Sequence, residues 1–201
     1  MLGIFLDTET NGLNANKHKI IEIAYKILDV TTGELKAEFQ SLIFQPPEIW
    51  KNSDSESLKI NGFNWDEVKT GLQPSDAAER IKITFKALEI KRGFSVFICQ
   101  NPSFDRAFFS QLIDPDEQEK LEWPYHWLDL ASMYWAESIR KAQSKEALYP
   151  WETGLSKDRI ATTFQLPVER SPHRAMNGVE HLLLCYQAVV GFPLSPSSLL
   201  I

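Results

Sequence analysis

The chain has 201 residues, of which 43% are hydrophobic and 24% are charged, and this composition excludes an intrinsically disordered polypeptide. Its 27 acidic and 21 basic side chains give a formal net charge of −6, which argues against a protein that binds long duplexes through a basic surface. The two cysteines, Cys99 and Cys185, have no metal-ligand spacing, and no apolar run approaches the length of a membrane span. We therefore expect a soluble, cytoplasmic protein without a membrane partner.

Three strands joined by turns are predicted at the start of the chain. An apolar run covers residues 2–6, and residues 19–28 and 34–44 are dense in β-branched and aromatic side chains. Asn11-Gly12 is a turn signal, and the sequence VTTG at residues 30–33 has the length of a hairpin connection. The pattern indicates an antiparallel start to the sheet.

Helices and two further strands are predicted in the rest of the chain. Residues 53–62 indicate a short helix that ends at Gly62, and the next helix begins at Pro74, with Ser75 as its predicted cap. Its core face is predicted to carry Ala78, Ile81, Phe85 and Leu88. Residues 95–99 and 127–130 favour strands, and residues 106–113, 133–142, 155–166 and 174–190 favour helices. This order predicts an α/β fold with a mixed sheet, as one domain over residues 2–190 and a Pro/Ser-containing tail over residues 191–201.

Paired carboxylates follow the first apolar strand. In an extended segment Asp7 and Glu9 point to the same face, where their repulsion is costly unless a cation lies between them. Oxygen ligands suit a hard divalent ion such as Mg2+ or Mn2+. A polar strand end that enters a turn is the alternative. Because the pair lies at the end of an apolar strand, where the sites of α/β sheets gather, we favour a metal site over this alternative.

Two more segments carry candidate groups. Asp105, within the sequence NPSFD, follows the buried strand at residues 95–99. Taken alone, it is better explained as an acid at a helix N-terminus that the helix dipole favours. His173 lies at the start of the last predicted helix. A histidine there is usually structural, but if it is exposed beside metal ions it can act as a general base for water.

Together these segments resemble the motifs of the DEDD exonuclease superfamily. Residues 5–13 (FLDTETNGL) are similar to its first motif, residues 101–108 (NPSFDRAF) to its second, and residues 173–180 (HRAMNGVE) to its last. The resemblance is to the DEDDh branch, which includes ribonuclease T and the proofreading epsilon subunit of bacterial DNA polymerase III. The segments occur in the family's order and span nearly the whole chain.

The resemblance implies a ribonuclease H-like mixed β-sheet flanked by helices. It also implies 3′-to-5′ hydrolysis of phosphodiester bonds at single-stranded DNA or RNA 3′ ends by two divalent cations, Mg2+ or Mn2+. Asp7 would bridge the two ions, Glu9 would bind the nucleophile-side ion and Asp105 the other. His173 would be the catalytic base. The 3′ nucleotide would lie against Leu13, Asn101 and Phe104.

One departure from the family motif concerns its fourth acid. This chain has Gly178 at that position, so the nucleophile-side ion would keep only Asp7 and Glu9. His181 lies on the same helix face but is a soft ligand for Mg2+, and a surface imidazole is the favoured interpretation. We expect weak metal binding and strongly impaired hydrolysis, unless water replaces the missing ligand and the metal concentration is high. We also expect Gly178→Asp to raise the rate of hydrolysis.

Other functions and side-chain roles stay open at this point. A nucleic-acid-binding or accessory subunit without full activity and a hydrolase of very short oligonucleotides are the alternatives to the exonuclease. The C-terminal tail is either a peptide that docks on a DNA polymerase or a frayed end. The sequence pattern specifies neither the oligomeric state nor a preference for DNA or RNA. Core filling is favoured over base stacking for the tryptophans of the third quarter, Trp123, Trp127, Trp135 and Trp151. Solvated side chains are favoured over a backbone-binding path for Lys141, Lys145 and Lys157.

Overall fold

The structure is a computed structural model that describes residues 1–144 and 148–194, and within those ranges five strands form one mixed sheet. The strands are β1 (Leu2–Thr10), β2 (Ile20–Asp29), β3 (Leu35–Leu42), β4 (Ser95–Cys99) and β5 (Trp127–Asp129). Their spatial order is β3-β2-β1-β4-β5. The first three strands pair antiparallel and the last two are parallel to β1, so the predicted antiparallel start and the mixed sheet are confirmed.

Ten helices surround this sheet in the same described ranges. They are α1 (Pro47–Trp50), α2 (Ser55–Asn61), α3 (Trp65–Val68), α4 (Pro74–Ala87), α5 (Pro102–Phe109), α6 (Pro115–Lys120), α7 (Leu130–Gln143), α8 (Pro150–Thr153), α9 (Lys157–Thr163) and α10 (Ala175–Val189). None of these helices combines the length and the apolarity that crossing a membrane requires.

The core has two layers, one on each face of the sheet. Successive side chains of a strand point to opposite faces, so Ile4 and Leu6 pack in one layer and Phe5 in the other. Helices α4 and α5 cover the first layer, and α7, α9 and α10 cover the second. Each layer is therefore a helix–sheet interface, as expected for an α/β domain.

Two helices that begin at a proline differ from the prediction, one in its cap and one in its first residue. Helix α4 begins at Pro74 without any side-chain cap, so the predicted capping by Ser75 is wrong. Proline needs no such cap because its φ is already helical and it has no N–H to satisfy. Helix α5 begins at Pro102, four residues before the predicted start. The predicted stop at Gly62 is confirmed, since this residue ends α2 with a left-handed φ of 67°.

The predicted tail begins with residues that contact the body of the domain. The ring of Phe192 packs against Tyr186 at a centroid distance of 5.6 Å, and the backbone N–H of Leu194 donates to Thr31 O at 2.8 Å. The second core layer thus extends to Phe192. Residues 195–201, the rest of the predicted tail, lie outside the described residues.

Candidate active site

Strand β1 carries two carboxylates at its C-terminal end. The fully buried side chains of Ile4, Phe5 and Leu6 fix the strand in the centre of the sheet, and Asp7 and Glu9 then project from one face. Burial raises the pKa of Asp7. Burial also raises the pKa of Glu9 to about 8, and the neighbouring charge of Asp7 adds to that rise. The two acids repel each other as the sequence pattern indicated.

A third carboxylate comes from α5, the helix that follows β4. Asp105 is buried, and its Oδ1 accepts a hydrogen bond from Thr8 Oγ1 at 2.9 Å. Burial raises its pKa well above the usual range, and the charge of Asp7 raises it further. Asp105 does lie in the first turn of α5, as its alternative explanation predicted, and it is also part of the same electrostatic cluster as Asp7.

Gly178 lies on α10 directly against the Asp7 carboxyl group. A Cβ added to Gly178 would lie 2.6 Å from Asp7 Cγ and closer still to Oδ2. The fourth-acid position is thus not an empty space, because the Asp7 carboxylate fills it. An aspartate at residue 178 would therefore require the Asp7 carboxyl group to turn away, and the expected gain in rate from Gly178→Asp stays a prediction.

Lys157, the first residue of α9, contacts this cluster directly. Its Nζ lies 3.2 Å from Asp7 Oδ1 and 3.0 Å from Glu169 Oε2, and it donates to Gly178 O at 3.4 Å. Its side chain is only 13% exposed, so the favoured interpretation as a solvated lysine is wrong. Lys141 does lie at the surface, where it pairs with Glu137, and Lys145 lies outside the described residues.

Glu169 joins Lys157 to two histidines. Its side chain is 4% exposed, its Oε1 lies 3.7 Å from His173 Nδ1, and its Oε2 lies 3.6 Å from His181 Nδ1. Burial raises the pKa of Glu169, but its interactions with His181 and Lys157 outweigh burial and lower the pKa to about 2. Glu169 Oε1 is buried without a hydrogen-bond partner within the described part of the chain. Glu169 is thus ionised and has one oxygen that lacks a donor.

His181 is part of the interior rather than of the surface. Its side chain is 4% exposed, and its Nε2 lies 3.0 Å from Pro167 O, so the expected surface imidazole is wrong. Burial lowers the pKa of His181, but its contacts with Cys185 and Glu169 raise the pKa to about 9. A protonated His181 therefore helps to hold Glu169 in its charged form.

His173 stands at the open side of this group. Its side chain is 40% exposed, and its backbone N–H donates to Ile60 O at 3.1 Å. Helix α10 begins two residues later, where the N–H of Ala175 donates to Glu22 Oε2 at 2.7 Å. Glu22 is opposite Glu9 in the β1–β2 register, so strand β2 fixes the start of α10 and with it the position of His173.

One surface cleft contains the three residues expected at the 3′ nucleotide. Leu13, Asn101 and Phe104 line it together with Ala15 and Phe108. Leu13 is 75% exposed at the tip of its loop. The loop is held by Gln111, whose Nε2 donates to Ala15 O at 2.8 Å and to His18 O at 2.9 Å. The fold brings all three residues to one cleft, and their contact with a 3′ nucleotide stays a prediction.

The donor chemistry fits a divalent cation on one side of Asp7 only. The buried carboxylates of Asp7 and Asp105 repel each other, and a hard cation with oxygen ligands would relieve that repulsion. On the other side the fourth acid is missing and the Lys157 ammonium group lies against Asp7. Within residues 1–144 and 148–194, no three His, Cys, Asp or Glu groups are arranged to hold a metal ion by themselves.

The tryptophans of the third quarter have two different environments. Trp123 is buried, and Trp127 stacks on Phe97 with a centroid distance of 3.9 Å, as predicted for core residues. Trp135 and Trp151 are 39% and 60% exposed, so core filling is wrong for these two. Trp151 also stacks on Tyr149 at 4.5 Å, which leaves an aromatic cluster at the surface.

Sequence reasoning missed Lys157 and Glu169 as members of the site. Neither belongs to a motif, and they lie 150 and 162 positions from Asp7. For Glu169 one signal was available, because an acid four residues before the candidate base can pair with it. For Lys157 no local pattern exists, since the contact depends on how α9 packs against α10 and β1.

Comparisons with known proteins agree with this geometry. The exonuclease family profile matches residues 4–183. An oligoribonuclease of Nitrosomonas europaea is 26% identical over 129 residues, covering 63% of this chain and 68% of that protein. A ribonuclease T of Actinobacillus pleuropneumoniae is 30% identical over 112 residues, covering 53% of this chain and 51% of that protein.

Solved structures share the fold at low sequence identity. The zinc-bound complex of E. coli ExoI with single-stranded DNA has a TM-score of 0.73 at 13% identity, over 94% of this chain and 40% of that one. Cell-death related nuclease 4 has a TM-score of 0.68 at 12% identity, over 96% of this chain and 66% of that one. The chain thus spans less than half of ExoI, and the predicted ribonuclease H-like fold is confirmed. The profile match and the ordered motifs lead to one conclusion: the chain belongs to the exonuclease family, in the DEDD superfamily that its motifs resemble.

Proposed function

We propose that this protein is a 3′–5′ exonuclease that hydrolyses phosphodiester bonds at single-stranded nucleic-acid ends with the help of divalent cations. The observation that carries the proposal is that Asp7 and Glu9 project from one face of β1, and that the charge of Asp7 also raises the pKa of Asp105. Phe104, the residue before Asp105 in α5, lines a cleft together with Leu13 and Asn101. Family membership and relatives named as ribonucleases support the same activity.

The cation we expect is Mg2+ or Mn2+, held by Asp7 and Asp105, with Glu9 nearby. When bound, such an ion neutralises charge on the phosphate and polarises its oxygens. The resemblance implies a second ion beside Glu9 and the fourth acid. The missing acid at Gly178 supports weaker binding there, and with it a slower reaction than that of a site with all four carboxylates.

The other site residues have two proposed roles: His173 is the base, and the cleft residues bind the terminal nucleotide. His173 is 40% exposed and Glu169 lies on its Nδ1 side, so we assign Nε2 as the atom that accepts a proton from the attacking water. Leu13 and Phe104 offer apolar surfaces for the terminal base, and Asn101 offers a polar side chain at the same cleft. We expect this cleft to take an unpaired 3′ end, which agrees with a net charge of −6.

A cleavage assay on 3′-labelled single strands of RNA and DNA tests the proposal. We expect stepwise shortening in Mn2+ or Mg2+ that stops in EDTA and in Asp7→Ala. The matched control is Asp66→Ala, a surface acid of α3, which should cleave at the wild-type rate. Cleavage that continues in EDTA, or in Asp7→Ala, would contradict the proposal.

A nucleic-acid-binding subunit with weakened activity is the second candidate. The observation that favours it is the lysine that lies against Asp7, where the resemblance implies a metal ion. Retention of labelled RNA or DNA without product in the same assay would support it. Cleavage confined to strands of about two to five nucleotides would instead identify short oligonucleotides as the substrate.

A further inference from the structure

The ammonium group of Lys157 lies where a cation between carboxylates would lie. Asp7 Oδ1, Glu169 Oε2 and Gly178 O surround Lys157 Nζ at 3.2, 3.0 and 3.4 Å, and we call this arrangement the ammonium site. The Lys157, Asp7 and Glu169 side chains are 13%, 16% and 4% exposed. An ion pair this well shielded from water is weakly screened, so Lys157 is held firmly.

The position of the ammonium site relates it to the missing acid. It is built on the carbonyl group of Gly178, the residue that replaces the fourth acid, and on Asp7, the residue expected to bridge two ions. Because Gly178 has no side chain, the Asp7 carboxylate can lie against α10 and turn one oxygen toward Lys157. A glycine at residue 178 and a lysine at residue 157 are thus parts of one arrangement.

Glu169 supplies the carboxylate that Gly178 does not. Its Oε2 binds Lys157, while its Oε1 is buried without a hydrogen-bond partner in the described ranges. The acid comes from the segment between α9 and α10 rather than from α10 itself. With Asp7 it gives the ammonium site two carboxylates, and His181 Nδ1 lies 3.6 Å from the Glu169 oxygen that contacts Lys157.

We propose that Lys157 and Glu169 replace the nucleophile-side metal ion, so that the chain binds one divalent cation instead of two. This inference rests on the proposed function. A metal ion and an ammonium group on the same Asp7 oxygen would repel each other strongly, so the two cannot share the site. The single ion lies on the Asp105 side of Asp7. Lys157 supplies positive charge on the other side, without the Lewis acidity of a metal.

Counting bound Mn2+ tests this directly, without any need for cleavage. Electron paramagnetic resonance of free Mn2+, in a titration of the full chain, should give one bound ion for the wild type. Lys157→Met removes the ammonium group and leaves Asp7, Glu9 and Glu169 uncompensated, so it should bind two. The double variant Lys157→Met/Glu169→Gln should return to one, because the replacement acid is then gone.

Two further variants control for folding and for surface charge. Lys157→Arg keeps a cation in place and should bind one ion. Lys91→Met removes an exposed lysine that pairs with Glu122 and should also bind one. If Lys157→Met does not fold, the number of Mn2+ ions bound to the wild type still tests the inference.

The outcomes separate this inference from the function on which it rests. Two ions bound to the wild type would overturn the inference and leave a metal-dependent exonuclease intact. A folded Lys157→Met protein that binds only one Mn2+ ion would also overturn the inference, because Lys157 would then not be the group that excludes a second ion. No bound ion in the wild type would contradict the proposed function and the inference together.

Discussion

Gly178 and Asp7 are in direct contact across the interface between α10 and β1. A Cβ at residue 178 would meet Asp7 Cγ at 2.6 Å and Oδ1 at 3.0 Å. The absence of a side chain at one residue therefore decides the orientation of the carboxylate at the other. This contact makes Gly178 a determinant of the site and not merely the loss of a ligand.

Replacement of Gly178 should consequently weaken metal binding even when the new residue is small. In Gly178→Ala the added methyl group forces the Asp7 carboxylate to turn, and we expect Mn2+ affinity to fall by about 10-fold to 100-fold. The gain in helix propensity, about 1 kcal/mol, does not restore the lost geometry. Isothermal titration with Mn2+ measures the effect.

The matched control is Asn177→Ala on the neighbouring position of α10, which should bind Mn2+ as the wild type does. Gly178→Asp displaces Asp7 in the same way, so we expect it to raise the cleavage rate only in a Lys157→Met background. A Gly178→Ala protein with unchanged Mn2+ affinity would show that Asp7 can move without consequence.

Glu9 should make the metal-free protein less stable as the pH rises. Its pKa is about 8 in the folded chain against 4.5 as the ordinary value, so the folded state holds this proton more tightly. The resulting stability is complete below pH 4.5 and is lost progressively as the pH rises to about 8. In EDTA at pH 8.5, Glu9→Gln should therefore be more stable than the wild type by about 3–5 kcal/mol.

Urea denaturation at pH 4.5 and at pH 8.5 measures this difference, which should nearly vanish at the lower pH. Glu48→Gln, which changes an exposed acid of α1, provides the control and should show no such pH dependence. Equal stability of Glu9→Gln and wild type at pH 8.5 would mean that Glu9 is not desolvated.

Glu169 should have the opposite pH dependence. Its pKa is lowered to about 2 from 4.5, so it stabilises the folded chain above pH 4.5 and loses that contribution as the pH falls toward 2. We expect Glu169→Gln to cost about 2–3 kcal/mol at pH 7 in EDTA and progressively less from pH 4.5 downward. Urea denaturation between pH 7 and pH 3 tests it, and a loss that stays constant over this range would contradict the ion pair with Lys157.

The cleft residues should affect nucleic-acid binding without affecting the metal. Removing one stacking or wedging side chain, as in Leu13→Ala or Phe104→Ala, should weaken binding of a single strand by about 1–3 kcal/mol. Fluorescence anisotropy of a labelled strand measures this loss in a cleavage-deficient His173→Ala background, which keeps the metal ligands. Ile83→Ala, which truncates an exposed side chain of α4, is the control. Unchanged binding in both cleft variants would place the strand elsewhere.

The local rules of the sequence predicted most of the fold and the proximity of the carboxylates of Asp7, Glu9 and Asp105. The apolar run that ends at Asp7 and the buried strand before Asp105 each have a pattern that specifies where a carboxylate lies. Lys157 and Glu169 have no such pattern, because their role depends on contacts between segments that are distant along the chain. The exposure of Trp151 was not predictable for the same reason. Tryptophan is usually buried, but the packing around Trp151 leaves its side chain 60% exposed.

Anomalous diffraction from a crystal soaked in Mn2+ locates the cation most directly. We expect a peak bound by Asp7 and Asp105, and none between Asp7 and Glu169, where Lys157 Nζ should remain. A map without any peak at the Asp7 carboxylate, with Asp105 turned away from it, would contradict a metal-dependent site.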